Sequence, residues 1–367
     1  MPTPAVLFGG PAPEHDISIL TGLQACRSLA DSDGRPAAIY WAKSGGFFSV
    51  APDLEAQAFV EGVPAGATPL ELVAGPGGGF AAEGRFGRRR ALDTGALVNC
   101  CHGGPGEDGT IQAVLDLAGV RYTGPSVAGA SLGMDKLAFT AVVQSAGVPT
   151  LPKLLLTPGT TQVPFDSPFI VKPRFGGSSI GIEIVEDLGV ATDLGRSSPH
   201  LAGGAVIEPY REDAVDLEIS IRSWPELQIS PIARPLNKGE GRIYGYTEKY
   251  VGGEGMASSP KELPARLPAA IEEQIRTVAV TVADLALVRG VARLDFLWAG
   301  DDVYVNEINT IPGSLSWYLW AEAGVSRPQL LQDLIAEATA GPTRTFSTEG
   351  ADGTVLRSAG SIAAKLA

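Results

Sequence analysis

Residues 291–313, VARLDFLWAGDDVYVNEINTIPG, constrain this chain more than any other stretch. In VARLDFLW, Ala292, Leu294, Phe296 and Trp298 fall on one side of a two-residue repeat, and Arg293 and Asp295 on the other. That is the period of a β-strand with one apolar face. A turn rich in Gly and Asp follows, then a second run, DVYVNEIN, so the pair reads as a hairpin. With Gly300, Asp301 and Asp302 as a three-residue loop, Asp295 stands opposite Glu307 and Arg293 opposite Asn309. Two carboxylates side by side repel unless a cation neutralises them. Oxygen ligands from Asp, Glu and Asn suit a hard cation, and Mg²⁺ takes one or two carboxylates together with phosphate oxygens. An arginine two residues from such a ligand is placed to clamp a phosphoryl group in transfer. A surface hairpin with a solvated polar face is the alternative. The regular apolar–polar split and the Asn-Thr-Ile-Pro-Gly exit favour the site.

At 367 residues the chain is long for a single core, so two or three domains are expected. With 44% hydrophobic and 19% charged residues the composition is globular, and no apolar run approaches the roughly 20 residues of a membrane-spanning helix. The opening MPTPAVLFGG lacks the basic region and cleavage site of a signal peptide, so a cytoplasmic location is expected. A net charge of −13 argues against nucleic acid as a partner. Cys26, Cys100 and Cys101 have neither disulfide nor metal spacing and read as small buried hydrophobes. His15, His102 and His200 are scattered, which disfavours zinc.

Taken in order, an apolar strand at residues 5–8 ends in Gly9-Gly10, and a helix begins near Asp16 with Ile17, Leu20, Leu23 and Cys26 on one stripe. Strand, glycine turn and helix open an α/β domain, with Glu14 and His15 displayed in the loop. Residues 31–95 carry few signals, and the Pro and Gly between residues 62 and 79 read as a variable loop region. A second apolar strand, residues 96–101, leads into HGGPGEDG and a helix with Ile111, Val114, Leu115 and Ala118 inward. After a boundary near residues 124–131, a helix carries Met134-Asp135-Lys136. PFIVKPRFGGSSIGIEIV places a loop, Gly176-Gly177-Ser178-Ser179, between two strands, where small residues can fold their N–H groups over phosphates. No helix follows directly, so it is neither a P-loop nor a dinucleotide fingerprint. Glu208 ends a buried strand, and VDLEISIRS alternates as a half-buried strand carrying Glu218. Residues 236–260 are polar and Gly-rich, the composition of a mobile loop able to close over a site. A helix over residues 268–286 presents Ile271, Ile275, Val278, Val282 and Leu285 to the sheet. From residue 341 the chain reads as a loose tail.

These motifs stand in the order found in the D-alanine–D-alanine ligase family of the ATP-grasp fold, which the chain resembles over roughly residues 5–335. The segments concerned are FGGPAPEHDIS, HGGPGEDGTIQAVLDLAGVRYTG, VKP with GSSIG, AVIEPYRE, YGYTEKY and RLDF…NEINTIPG. The resemblance implies an N-terminal Rossmann-like α/β domain (residues 1–125), a small central α+β subdomain (126–212), and a C-terminal α+β domain with the metal site (213–340), followed by a tail (341–367). It implies Mg²⁺, with Mn²⁺ as a substitute, on Asp295, Glu307 and Asn309, and phosphate contacts from Lys136, Lys172, Ser178, Ser179 and Lys249. It assigns adenine to Glu208 and ribose to Glu218, although the segment between them is longer here than usual. Glu14, Ser178 and Tyr250 match the hydrogen-bonded set around the first substrate. Arg293 matches the residue that stabilises the transferred phosphate and touches the acceptor's carboxylate. A homodimer with small amino-acid substrates is the implied assembly.

The expected reaction is ATP-driven activation of a carboxylate as an acyl phosphate, which an amine attacks to give a dipeptide or amide, ADP and phosphate. The donor is expected to be a small D-amino acid such as D-alanine. One alternative is an amide ligase of specialised metabolism with another acceptor, and the other is a nucleotide-binding protein without catalysis. The departure from the family lies at PGSLSWYL. Counted from Pro312-Gly313, the family's acceptor-holding serine falls on Tyr318 and its leucine on Leu319. A tyrosine there predicts that D-alanine is a poor acceptor and that the preferred amine either lacks a carboxylate at that place or is larger and packs on Trp317, Tyr318 or Trp320, unless Ser314 or Ser316 takes over the carboxylate.

Overall fold

The computed structural model describes residues 3–31, 35–84, 88–92, 94–236, 260–341 and 346–365. Lys249 and Tyr250, with the rest of the expected closing loop at 237–259, lie outside the described residues.

The first layer is a seven-stranded sheet in the order β6-β5-β4-β3-β2-β1-β7. It comprises β1 (Ala5–Gly9), β2 (Ala37–Trp41), β3 (Phe47–Val50), β4 (Thr68–Val73), β5 (Gly79–Glu83), β6 (Arg89–Ala91) and β7 (Leu97–Asn99). Strand β1 runs parallel to β2 and β7, and β3 to β6 form an antiparallel meander. The Pro- and Gly-containing stretch at residues 62–79, read as a variable loop region, holds strand β4 and leads into β5. The edge strand β6 is short and exposed and β4 buries only Leu70, so no two-residue hydrophobic repeat marks them.

Helix α1 (His15–Ala30) covers one face of this sheet. It starts at His15, so that residue is helical and buried rather than displayed in a loop. Ile17, Leu23 and Cys26 are buried as expected, but Leu20 is 41% exposed, and Ile19, Gly22 and Ala25 face the core instead. The helix lies so close to β1 that a Cβ on Gly22 would come within 2.4 Å of Phe8. The opposite face is covered by α2 (Gly104–Glu107) and α3 (Thr110–Ala118), with Ile111 and Leu115 buried beside Leu7 and Ile39.

Two short helices follow, α4 (Val127–Met134) and α5 (Lys136–Ser145). Met134-Asp135-Lys136 lies at their junction rather than within one helix. Asp135 caps α5 by accepting the N–H groups of Leu137 and Ala138, as a short acid at the N-cap should. The second sheet has the order β10-β9-β11-β8, built from β8 (Leu154–Leu156), β9 (Phe169–Pro173), β10 (Glu183–Val185) and β11 (Ala205–Pro209), and is backed by α6 (Leu188–Ser197).

The third sheet, β13-β12-β16-β17, contains β12 (Val215–Arg222), β13 (Gln228–Ile229), β16 (Val291–Ala299) and β17 (Asp302–Asn309). A separate two-stranded ribbon joins β14 (Arg234–Pro235) and β15 (Lys261–Glu262). Helix α7 (Ala269–Leu285) packs Ile271, Ile275 and Val282 against the apolar face formed by Ala292, Leu294 and Phe296. Strand β12 is buried on both faces rather than one. The chain after the hairpin, α8 (Trp317–Glu322) and α9 (Arg327–Ala340), contributes the cover on its polar side: Trp320 donates to Ser220 and Asp333 pairs with Arg222. Helix α9 then reaches back to the first sheet, where Leu330, Leu331 and Leu334 share a core with Val6 and Phe8. Beyond it, the described part of the tail holds two short exposed helices, α10 (Thr354–Ser358) and α11 (Ile362–Lys365).

Candidate active site

The polar face of the β16–β17 hairpin has the anticipated pairs, Arg293 opposite Asn309 and Asp295 opposite Glu307. The route to that register differs. Ala299 pairs with Asp302, so the turn is the two residues Gly300-Asp301 and not three. A β-bulge between Asp295 and Phe296 then restores the missing residue, because Phe296 pairs with Val305 while Asp295 pairs with Glu307. Asn306 is the extra residue. One residue of slip would have sent Glu307 and Asn309 to the opposite face.

Cations of the protein lie against both carboxylates. Arg293 donates to Asp295 through Nε at 2.6 Å and Nη2 at 2.8 Å, and Lys136 Nζ lies 3.3 Å from Glu307. Burial raises the pKa of Asp295, Arg293 opposes that rise, and the nearby charges of Glu218 and Glu307 add to it. Asn309 donates its amide hydrogen to Asp295 at 3.1 Å, which leaves its carbonyl as the oxygen donor. Among the described residues no cluster of three His, Cys, Asp or Glu is found. The set is two carboxylates and an amide, a chemistry that fits a hard divalent cation whose remaining ligands are phosphate oxygens and water.

This face opens on a cleft, partly open to solvent, whose two lobes enclose about 390 and 340 Å³ of non-atom space and share Glu14, Glu107, Glu307 and Asn309 as walls. Opposite the hairpin, Ser178 donates to Glu14 at 2.5 Å. Glu14 is held between two glycines, since a Cβ on Gly103 would stand 2.1 Å from its Oε2 and one on Gly177 2.8 Å from its Oε1. Ser178 and Ser179 both have positive φ, 52° and 59°, so the loop turns back on itself. Lys136 is buried, contrary to the usual fate of a lysine on a helix, and binds the Gly176 carbonyl as well as Glu307. It therefore ties the small-residue loop to the metal-type face. Arg174 secures the start of that loop through two bonds to Asp135.

Glu107 links the first layer to the hairpin. It accepts from the backbone N–H of Gly103 at 2.9 Å and of Ile311 at 2.7 Å, and from the Thr310 hydroxyl at 3.1 Å. Burial, reinforced by Glu14, raises its pKa to about 7. His102 performs a similar task. Its Nδ1 lies 2.6 Å from the Ile311 carbonyl and its Nε2 2.8 Å from Thr21 Oγ1. The carbonyl accepts only, so Nδ1 carries the proton and the threonine hydroxyl donates to Nε2. Burial lowers the His102 pKa to about 4, so the ring is neutral near neutral pH.

Lys172 and Glu208 form the floor of the neighbouring region, joined by a lysine that sequence reading passed over. Glu208 contacts both Lys172 and Lys153, the latter at 3.3 Å, and the Lys153 and Glu208 side chains are each 1% exposed. Burial pushes the Glu208 pKa up, but the two ammonium groups outweigh it and hold the carboxyl below its usual range. Lys153 also donates to the Asn306 carbonyl and Lys172 to its side-chain oxygen, each at 3.2 Å. The bulge residue is thus gripped from both ends by buried lysines. The available signal was a single charge inside the apolar run VPTLPKLLL, which must find a partner if buried.

Glu218 is grouped with Arg293 and Tyr318 rather than with Glu208. It accepts from the Tyr318 hydroxyl at 2.6 Å and lies 3.9 Å from Arg293 Nε. Tyr318 therefore directs its hydroxyl to a buried carboxylate, and Leu319 is buried beside it. Trp320 is 1% exposed and belongs to the core, so it is no platform for an acceptor. Ser316 is fully buried, Ser314 donates its N–H to Thr21, and Gly313 lines the reaction cavity.

Residues 3–125 match the family model described as the D-ala D-ala ligase N-terminus, and residues 130–336 match the one described as its C-terminus. The chain belongs to the D-alanine–D-alanine ligase family. It is accordingly an ATP-dependent ligase of the kind that forms a peptide bond, in a family that also uses a divalent metal. A D-alanine–D-alanine ligase of Nocardia farcinica is 32% identical over 362 residues, covering 92% of this chain and 96% of the relative. One from a Bradyrhizobium species is 31% identical over 356 residues, covering 92% and 95%. Solved structures share the ATP-grasp fold at lower identity. The D-alanine–D-alanine ligase of Coxiella burnetii aligns with a TM-score of 0.74 at 22% identity over 92% of this chain and 94% of its own. The VanG D-Ala:D-Ser ligase of Enterococcus faecalis aligns with a TM-score of 0.71 at 22% identity over 92% and 99%. No helix among the described residues is long and apolar enough to cross a membrane.

Proposed function

We propose that this ligase activates the carboxylate of D-alanine, or a similarly small D-amino acid, and joins it to an amine. One observation carries the reading: the Glu14–Ser178 pair and the Arg293, Glu307 and Asn309 face are walls of the same cavity. Glu14 supplies a negative charge for the donor's ammonium, and Ser178 fixes that carboxylate. Lys136 and the loop at 176–179 receive the phosphates of ATP, Lys172 stands beside Glu208 at the nucleotide side, and Arg293 balances charge on the phosphoryl group in transfer. Asp295, Glu307 and Asn309 would hold Mg²⁺, which when bound supplies positive charge to phosphate oxygens. The donor carboxylate oxygen takes the γ-phosphoryl group as ADP leaves; the acceptor amine then attacks the acyl carbon, phosphate leaves, and the amine's proton passes to solvent. No protein nucleophile is required. Lys249 and Tyr250 are proposed to complete the phosphate and first-substrate contacts.

For the acceptor, we favour an amine other than D-alanine. Tyr318 stands where the family serine is matched, and its hydroxyl is engaged by Glu218. Ser316 is fully buried and lines neither lobe of the reaction cavity. The domain boundaries at 125, 212 and 340, a homodimer and a cytoplasmic setting belong to the same reading.

ADP release with D-alanine and a panel of amines tests it. Glu307→Ala should abolish ADP release with the far-ultraviolet spectrum retained; normal release by the purified variant would sink the assignment.

A further inference from the structure

On the far side of the acceptor turn lies a cleft enclosing about 240 Å³ of non-atom space, partly open to solvent. Its floor is apolar, formed by Ala25, Leu315, Leu330 and Leu331, and Arg327 stands at its edge. The guanidinium stacks over Trp317 at 4.2 Å. Among the described residues no carboxylate pairs with Arg327, and its Nε is buried without a hydrogen-bond partner. Two other polar atoms of the lining side chains are buried and have no partner among the described residues, Gln24 Oε1 and Trp317 Nε1. Burial lowers the arginine's pKa with no neighbouring acid to offset it. A half-buried cation whose Nε has no partner among the described residues, beside apolar side chains, matches a carboxylate attached to a compact apolar group.

We propose that this cleft is a second binding site, for a small carboxylate of amino-acid size with an apolar body, separate from the reaction cavity. The two are neighbours along α1: Ile17 lines the reaction cavity, and Thr21 and Gln24 line the cleft. Seven helical residues separate Ile17 from Gln24, about 10 Å along the axis. Between them the Ser314 N–H binds Thr21 Oγ1, which also meets His102. Ser314, Leu315 and Ser316 all have left-handed φ, 50°, 52° and 52°, a conformation that side-chain-bearing residues hold only when their surroundings enforce it. Occupancy of the cleft therefore bears on the turn that begins at Gly313, a wall of the reaction cavity, and alters acceptor binding. That second effect rests on the ligase reading; binding itself does not.

Isothermal titration of sodium isobutyrate into the full chain tests the site, with isobutyramide as the uncharged control. Saturable binding is expected in the wild type. Arg327→Gln should weaken it at least tenfold, Arg327→Lys should weaken it less, and Arg293→Met should leave it within twofold. Absence of saturable binding in the wild type overturns the proposal. So does equal binding of the amide, equal affinity in the two Arg327 variants, or loss in Arg293→Met with retention in Arg327→Gln, which would put the ligand in the reaction cavity. For the coupling, saturating isobutyrate should change the acceptor KM at least threefold in the wild type and not in Arg327→Gln. An unchanged KM with binding intact refutes the coupling, whereas a chain that releases no ADP at all refutes the ligase reading and leaves the titration result standing.

Discussion

Glu208 holds two ammonium groups apart in a region almost closed to water, and that arrangement makes an unusual double-variant prediction. The cluster of Lys153, Lys172 and Glu208 carries one net positive charge. Glu208→Gln leaves the two lysines facing each other. Both contacted the same carboxylate, so they stand roughly 5 Å apart, and at an effective dielectric of about 20 their repulsion is about 3 kcal/mol. The lost charge-assisted bonds add about 1.5–3 kcal/mol, so the single variant should lose about 5 kcal/mol. Lys153→Met keeps the Lys172–Glu208 pair and should cost only about 2 kcal/mol, for one ion contact and the bond to the Asn306 carbonyl. The double variant removes the repulsion, so it should be about 2–3 kcal/mol more stable than Glu208→Gln despite carrying an extra substitution. Urea denaturation at neutral pH, read as the shift in midpoint at constant slope, measures this. A double variant no more stable than Glu208→Gln refutes the charge accounting.

Other outcomes follow from single contacts. Glu107 has a pKa raised from 4.5 to about 7, so the folded chain holds more protons there than the unfolded chain, and this group costs stability as pH rises across that window, roughly 3 kcal/mol in all. His102 falls from 6.5 to about 4, so the unfolded chain holds more protons, and stability is lost as pH falls through that window by roughly 3 kcal/mol. The two slopes nearly cancel between about pH 4.5 and 6.5; His102→Asn should make stability fall with rising pH there and Glu107→Gln should make it climb, and two flat profiles from thermal melts would contradict both assignments. Gly22→Ala should lower stability by about 1–3 kcal/mol, because the added methyl meets Phe8; an unchanged melting temperature would show that α1 can retreat from β1. Tyr318→Ser should lower KM for D-alanine as acceptor if the tyrosine narrows the site, and efficient D-alanyl-D-alanine formation by the wild type, unaltered in this variant, removes the case for another acceptor.

The pairing of Asp295 with Glu307 was legible because a strand repeats every two residues and four polar side chains fell on one face. The bulge at Asn306 was not, since a loop one residue shorter and a bulge one residue long leave the same register at the site. Glu14 and Ser178 stood out through motifs, but nothing local reveals that they bond across 164 positions of sequence. Leu20 looks like core on a helical stripe, and it is exposed because β1 and the returning α9 occupy a different face of α1. Lys153 showed only as a lone charge in an apolar run, because its partners, Glu208 and Asn306, come from two distant strands. Helix, strand and domain type are written in short periods; which charge meets which is decided by long-range topology.

The return of α9 to the first sheet also sets a timetable. Val6 and Phe8 share one core with Leu330, Leu331 and Leu334, residues that lie far apart in the order of synthesis. At about 5–20 residues per second, roughly 10 to 40 s pass between completion of the first layer and emergence of the helix that closes it. During that interval part of the oldest apolar face is open to water. The N-terminal layer is therefore an element whose folding waits for α9, and a product cut before α9 would lack a wall of its first core.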